Sequence, residues 1–312
     1  MQFVAPSAVQ RLRALVGGFG VVCALAAVNC GFKLPARAEK IAVTLVGATH
    51  GVGGERVPQA RLDAIVEPPF SKAGRFRLNR GAGDGVDGAL WFDVETARGG
   101  ARRVELSLSI ARGAGLPAGG GRGALEAMVQ VDSSAAADDS DDEAVREALS
   151  LALGIIDAQV SLERGEEARI PALLRSNDPQ VVLLAMAWVR QRERTEFLAH
   201  VVAALDHRHP DVAIAAVETL GLIGHASHVP EILQQAPRLQ IASSFRLYEA
   251  LGRLGGPDAE AFLEFAARNE EDPALRSAAR RALHSRGRPG DRGADPIEPP
   301  TAAAARGHWR TP

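Results

Sequence analysis

The sequence predicts an α+β protein in which a small antiparallel β-rich domain is followed by an α-helical solenoid. Three observations lead there. Between Lys40 and about Val131, apolar and polar residues alternate with a period of two, the spacing of strands with one dry and one wet face. From Asp141 the apolar period becomes helical, as in a helix with one buried stripe. Beyond Gly165 the text repeats at an interval of 31 residues, as stacked two-helix units do.

The 312 residues leave room for two ordinary domains, and 46% hydrophobic content is enough to build their cores. With 36 basic and 38 acidic residues the net charge is -2, so no bulk electrostatic signal points to nucleic acid or to an anionic membrane. No nucleic-acid partner is expected.

Residues 1–38 read as an export signal. Arg11 and Arg13 precede an apolar stretch from Ala14 to Val28, and Ala36-Arg37-Ala38 places small residues at the two positions a signal peptidase reads. Cleavage is expected after Ala38. The stretch is about 15 residues long and interrupted by Gly17, Gly18 and Gly20, whereas a bilayer-spanning helix needs about 20 residues. The expected location is therefore exported, periplasmic or extracellular, with membrane attachment only if Cys30 is lipidated. Ala27-Val28-Asn29 ahead of Cys30 matches the lipobox poorly, because Asn29 stands where a small residue belongs. Both cysteines, Cys23 and Cys30, fall inside this segment. The remainder has none, so disulfides, a cysteine nucleophile and a thiolate metal site are excluded from it.

The β-rich domain is assigned to residues 39–131. About five strands are expected: one on Ile41, Val43 and Leu45; one from Arg75 to Leu78; one in which Leu90, Phe92 and Val94 alternate with Trp91, Asp93 and Glu95; one in which Val104, Leu106, Leu108 and Ile110 alternate with Arg103, Glu105, Ser107 and Ser109; and one from Ala127 to Val131. Leu62, Ile65, Pro68-Pro69-Phe70 and Phe76 suggest a short helix and a turn packed on the sheet. Asp84-Gly85-Val86-Asp87-Gly88 is read as a hairpin turn before the Leu90 strand rather than as a calcium turn.

Residues 132–140 are an acidic linker, and residues 141–286 are helical repeats. Ser140 and Glu143 are spaced as a capping box, while Val145, Leu149, Ala152, Ile156 and Val160 line one face of a first helix that Gly165 stops. Asn177-Asp178-Pro179 then recurs as Arg208-His209-Pro210 after 31 residues, and Asp272-Pro273 lies another 63 residues on, two further periods. Ala216 to Gly224 lies over Leu247 to Gly255, and Ala185 to Val189 matches one unit earlier. Proline suits the first turn because the amide hydrogen it lacks has no partner there. Ala213, Ala215 and Ala216 permit close approach, and Leu220 and Leu251 hold one buried position in successive units. No unit covers its own apolar stripe, so stability requires stacking. Residues 287–312, rich in proline, glycine and alanine, are read as a disordered tail.

His209-Pro210-Asp211-Val212 leading to Leu220-Gly221-Leu222-Ile223-Gly224, and Asp272-Pro273-Ala274-Leu275-Arg276 leading to Ala282-Leu283, closely resemble bacterial HEAT-like repeats of the phycobilisome-lyase type. The resemblance covers about Pro171 to Ser285 and departs at Ile241-Ala242-Ser243-Ser244, where an Asp-Pro start belongs. It implies a fold used as a binding scaffold far more often than as an enzyme. No bilin-binding residue is identified, and lyase activity is not carried over.

The tests for chemistry fail in turn. His200, His207, His209, His225 and His228 suggest a metal cluster, but His207 and His209 precede a helix that His225 and His228 follow, about 18 Å apart, so at most one pair could contribute to a zinc site. The glycines from Gly113 to Gly123 lack the lysine and helix start of a phosphate loop. No serine is flanked as Gly-x-Ser-x-Gly. Glu218 and Glu249 fall on the wet edge of the first helices, and Trp188 and Tyr248 in the buried register.

The expectation is thus an exported, non-catalytic protein-binding scaffold or adaptor without cofactor or small-molecule substrate, acting on an unidentified protein partner. Its contact face would be lined by the second helix of each unit, here Pro230 to Gln235 and Ala259 to Arg268, with Glu231, Gln234, Gln235, Glu264 and Arg268 as contact residues. The alternatives are a lyase-like enzyme using the solenoid groove as a substrate cradle, which would need convergent titratable groups, and a structural envelope lipoprotein.

Overall fold

The computed structural model describes residues 40–51, 54–80, 85–96, 102–113, 116, 124–133, 141–238 and 241–285. The export segment with Ala36, Ala38 and Cys30, residues 134–140 of the linker, most of the Gly113–Gly123 stretch and the tail lie outside them. Among the described residues the chain forms two compact units, residues 40–116 with 128–153 and residues 124–127 with 154–285.

The sheet-forming elements are, in order, β1 (Ile41–His50), β2 (Glu55–Arg56), α1 (Gln59–Lys72), β3 (Phe76–Leu78), β4 (Val86–Thr96), β5 (Arg102–Ile110) and β6 (Leu125–Ser133). The sheet runs β2-β1-β4-β5-β6, with β3 also paired to β1. It is mixed, not wholly antiparallel as expected, because β1 is parallel to both β3 and β4. The crossover through α1 returns the chain in the same direction as β1, which a tight turn could not do. The hairpin expected at Asp84 to Gly88 is accordingly absent among the described residues. Thr44 faces Asp87 and Leu45 faces Gly88 within the β1–β4 ladder. Gly88 sits close to β1: a Cβ there would lie 2.9 Å from Val43 Cγ1 and 3.0 Å from Leu45 Cδ2, so those side chains would have to shift.

Leu62, Ile65, Val66, Pro69 and Phe70 form the buried stripe of α1, at helical spacing. Pro68 and Pro69 sit inside this helix, where each removes an amide donor and leaves the carbonyl four residues back unpaired. The structure supplies a substitute, since Arg146 Nε donates to the Ala64 carbonyl at 3.2 Å. On β4 and β5 the pairs Leu90–Leu108, Phe92–Leu106 and Val94–Val104 face the core, while Trp91–Ser107, Asp93–Glu105 and Glu95–Arg103 occupy the other face.

Helix α2 spans Asp141–Glu163, with Val145, Leu149, Ala152, Ile156 and Val160 all fully buried. Gly165 ends it at φ +65°, a conformation that a side chain would disfavour. In the second unit follow α3 (Ile170–Leu173), α4 (Pro179–Gln191), α5 (Leu198–Ala203), α6 (Pro210–Ile223), α7 (Val229–Gln235), α8 (Ile241–Leu254), α9 (Pro257–Asn269) and α10 (Pro273–His284). First helices α4, α6, α8 and α10 pack in succession, and α9 packs on α7, α8 and α10. Single 3-10 turns at Glu167–Arg169, Thr195–Phe197 and Ala226–His228 lead into α3, α5 and α7.

The Asp-Pro starts work as capping predicts. Asp178 accepts from Gln180 N at 2.8 Å, and Asp272 accepts from Ala274 N at 2.7 Å, each satisfying one free amide of a first turn. In the intervening unit His209 stands in place of the aspartate without a side-chain cap bond; His207 Nδ1 instead accepts from His209 N at 3.0 Å. Helix α8 begins at Ile241, so Ser243 and Ser244 lie in its first turn.

Register holds through the stack: Val189, Leu220, Leu251 and Ala282, each 31 residues apart, are all buried. Glycine also makes the closest approaches. A Cβ on Gly221 would lie 2.6 Å from Ala250 Cβ, and one on Gly252 would lie 2.8 Å from the Ala282 carbonyl. Trp188 and Tyr248 are buried as expected. Trp188 Nε1 donates to the Leu162 carbonyl at 2.9 Å, and the Tyr248 hydroxyl bonds Glu270.

Candidate protein-binding face

The helical unit exposes two kinds of surface, and their chemistry differs. On the first helices the surface combines charges that pair with one another and the exposed side chains of Leu222 and Phe245. Glu218 of α6 bridges Arg190 of α4 at 3.3 Å and Arg246 of α8 at 3.1 Å, spanning three units, while Glu249 pairs with Arg253 at 2.6 Å. The expected wet edge is there, but it is a bridged network rather than a row of free carboxylates.

On the second helices the period of 31 defines parallel rows. Val201, Ile232 and Leu263 are buried. Ala203, Gln234 and Phe265 are exposed, and His200, Glu231 and Phe262 are half-buried. Phe265, at 65% exposure, is the most exposed large apolar side chain described in this unit. Leu233 of α7 is half-buried. The surface therefore mixes alanine, proline and Phe265 with polar side chains, and Glu264 and Arg268 pair with each other at 2.6 Å along α9. Both are more than half exposed, so this ion pair contributes little to stability.

Of the five expected contact residues, Gln234, Glu264 and Arg268 are exposed, Glu231 is half-buried and Gln235 is buried. Gln235 is a correction: it occupies the row of Ala204 and Ala266, both buried, and its Nε2 donates to Asp206 Oδ1 at 3.0 Å. It supports the interior edge of α7 instead of facing a partner. Phe265 and Leu233 were not singled out from the sequence. The signal existed, because Phe265 lies 31 residues after Gln234 and inherits its exposed position.

Titratable groups do not converge on this face. His207 and His209 lie before α6 and His225 and His228 after it, at opposite ends of a 14-residue helix. Among the described residues no group of three or more His, Cys, Asp or Glu side chains is placed to hold a metal ion. The strongest perturbation of a partly buried group is at Tyr248, whose hydroxyl is held well above its ordinary pKa by burial and then by the bond to Glu270. That group closes the packing of α8 on the turn after α9. In the first unit a cavity of about 200 Å³ is lined by Thr44, Gln59, Asp63, Leu78, Asn79 and Arg80, among others. Its polar side chains bond one another or a neighbour: Asn79 to Thr44, Gln59 to Asp63, and Arg80 to Glu67, each at 3.0 Å.

The family model of HEAT repeats matches residues 198–284, the stretch from α5 through α10. No curated protein and no solved structure matches the chain. Residues 198–284 are thus similar to HEAT repeats, helical scaffolds of the kind that commonly mediate contact between proteins.

Proposed function

We propose that the chain is an exported, non-catalytic scaffold that holds another protein on the second-helix face of its HEAT array, without cofactor or small-molecule substrate. One observation carries the choice of face: Phe265 stands 65% exposed in the row of Ala203 and Gln234, whereas the first-helix face satisfies its own charges. Burying such a ring in a partner contributes about 1.5–3 kcal/mol, enough to make it an anchor. The likeness to phycobilisome-lyase repeats enters this reading at the level of fold alone.

The test is affinity capture followed by mass spectrometry, comparing the parent with Phe265→Ser and with Glu249→Gln on the opposite face. The expected result is a partner retained by the parent and by Glu249→Gln but lost with Phe265→Ser. An unchanged partner set across all three proteins would refute the assignment of the face. Export is tested separately by sequencing the native amino terminus, which should begin at Glu39. Recovery of Met1, or of a chain starting at acylated Cys30, would overturn it.

A further inference from the structure

Helix α9 buries Ala259, Leu263, Ala266 and Ala267. On the side away from them Asp258, Ala261, Phe265 and Arg268 are all exposed. Their spacings of three, four and three residues put the four in one line along the helix, about 15 Å from end to end.

The order along that line is an acid, a small side chain, a large apolar one and a base. Read backwards, the same spacing gives base, large, small, acid. Two antiparallel copies of the stripe therefore set Asp258 of each against Arg268 of the other, and Phe265 of each on Ala261 of the other, the self-complementarity that a two-fold contact requires. In this register Glu260 comes opposite Ala266 and Glu264 opposite Phe262, so no carboxylate of α9 opposes another. Antiparallel order also places each acidic first turn beside a basic last turn, as the helix dipoles favour. Arg268 is bound to Glu264 at 2.6 Å, with both side chains more than half exposed; a guanidinium has donors enough for a second carboxylate.

The equivalent rows of the earlier units lack this order. One unit back the row holds Ser227, Pro230, Gln234 and Pro237, all exposed and uncharged. Two units back it holds Glu196, Ala199, Ala203 and Asp206, also exposed, with like charges at both ends that antiparallel pairing would bring together.

We propose that α9 joins two copies of the chain, side by side and antiparallel about a two-fold axis level with Leu263. The proposal rests on the reading of Phe265 as an anchor and names its partner as a second copy. Charge and size complementarity select this occupant. A contact made by one pair of helices falls at the low end of specific interfaces, at or below about 1,200 Å², so the dimer is weak and reversible.

The test is sedimentation velocity of the full chain from micromolar to millimolar concentration, with Asp258→Arg, Arg268→Asp, an equimolar mixture of those two variants, and Phe265→Ser. The parent should pass from monomer to dimer as concentration rises. Each variant alone should dimerise at least about tenfold more weakly. The mixture should return to within about threefold of the parent, because one chain then carries two bases and the other two acids at the ends of the stripe, and both bridges re-form. A parent that stays monomeric overturns the proposal; whether Phe265 then anchors a different protein is decided by the capture experiment above. A dimer that the charge reversals leave unchanged, or that the mixture does not restore, is held by another surface and overturns it as well. Circular dichroism confirms that each variant folds.

Discussion

Two glycine-to-alanine substitutions should move stability in opposite directions, and the difference isolates how the helical stack is held. Gly154 lies within α2, and a Cβ built there meets nothing within 4 Å. Alanine at that position removes backbone freedom from the unfolded chain and suits the helix, so Gly154→Ala should stabilise by about 0.5–1 kcal/mol. Gly221 lies within α6, but its added Cβ would stand 2.6 Å from Ala250 Cβ and 2.7 Å from Ala250 Cα. Ordinary carbon contacts need about 3.5–4.0 Å, so α6 and α8 must separate by roughly 1 Å at this point. A gap of that size forfeits about a quarter to a half of each neighbouring contact, and overpacking of this type costs about 1–3 kcal/mol. The helix-propensity gain of about 1 kcal/mol offsets part of it, leaving Gly221→Ala up to about 2 kcal/mol less stable than the parent. Urea unfolding monitored by circular dichroism reads both, and with a slope of about 2 kcal/mol per molar the Gly221 variant's midpoint should fall by up to about 1 M. A Gly221→Ala midpoint at or above the parent's would refute the backbone-to-backbone packing of α6 and α8.

Further expectations concern single contacts. Leu220→Ala and Leu251→Ala, both at fully buried positions between neighbouring first helices, should each cost about 2–5 kcal/mol in the same unfolding assay. Gln234→Ala should stay within about 0.5 kcal/mol of the parent, while Gln235→Ala should cost about 1 kcal/mol because it removes the part-buried bond to Asp206. Replacing Arg146 with methionine removes the donor to the Ala64 carbonyl and should cost about 1 kcal/mol, seen as a lower melting temperature. Tyr248, the single tyrosine of the chain, has a folded pKa raised above its ordinary value by burial and Glu270. The folded state therefore keeps its proton where the unfolded state loses it. The stability that Tyr248 contributes is complete below about pH 10 and is lost progressively above it. Melting temperatures should fall more steeply above pH 10 for the parent than for Tyr248→Phe, and equal slopes would refute the burial of that hydroxyl.

The helical half was legible because its signals are local. Proline at the first turn, aspartate as cap and Gly165 as stop act within a few residues, and a period of 31 carries each buried position into the next unit. Gln235 was misread because its glutamine side chain was taken as exposed without following its row to Ala204 and Ala266. Alternation likewise announced the strands of the β unit and their dry and wet faces. It is silent about neighbours and direction: a strand of period two reads the same whether its partner is parallel or antiparallel. The sequence by itself therefore determined which residues form strands and helices, which side of each is buried, and that the second half is a repeat. Only the tertiary structure decided that β1 lies between β3 and β4 in parallel, that Gly221 and Gly252 mark backbone contact, and that Glu218 ties three helices together. Those features join residues distant in the chain, and no local propensity encodes the identity of a distant neighbour.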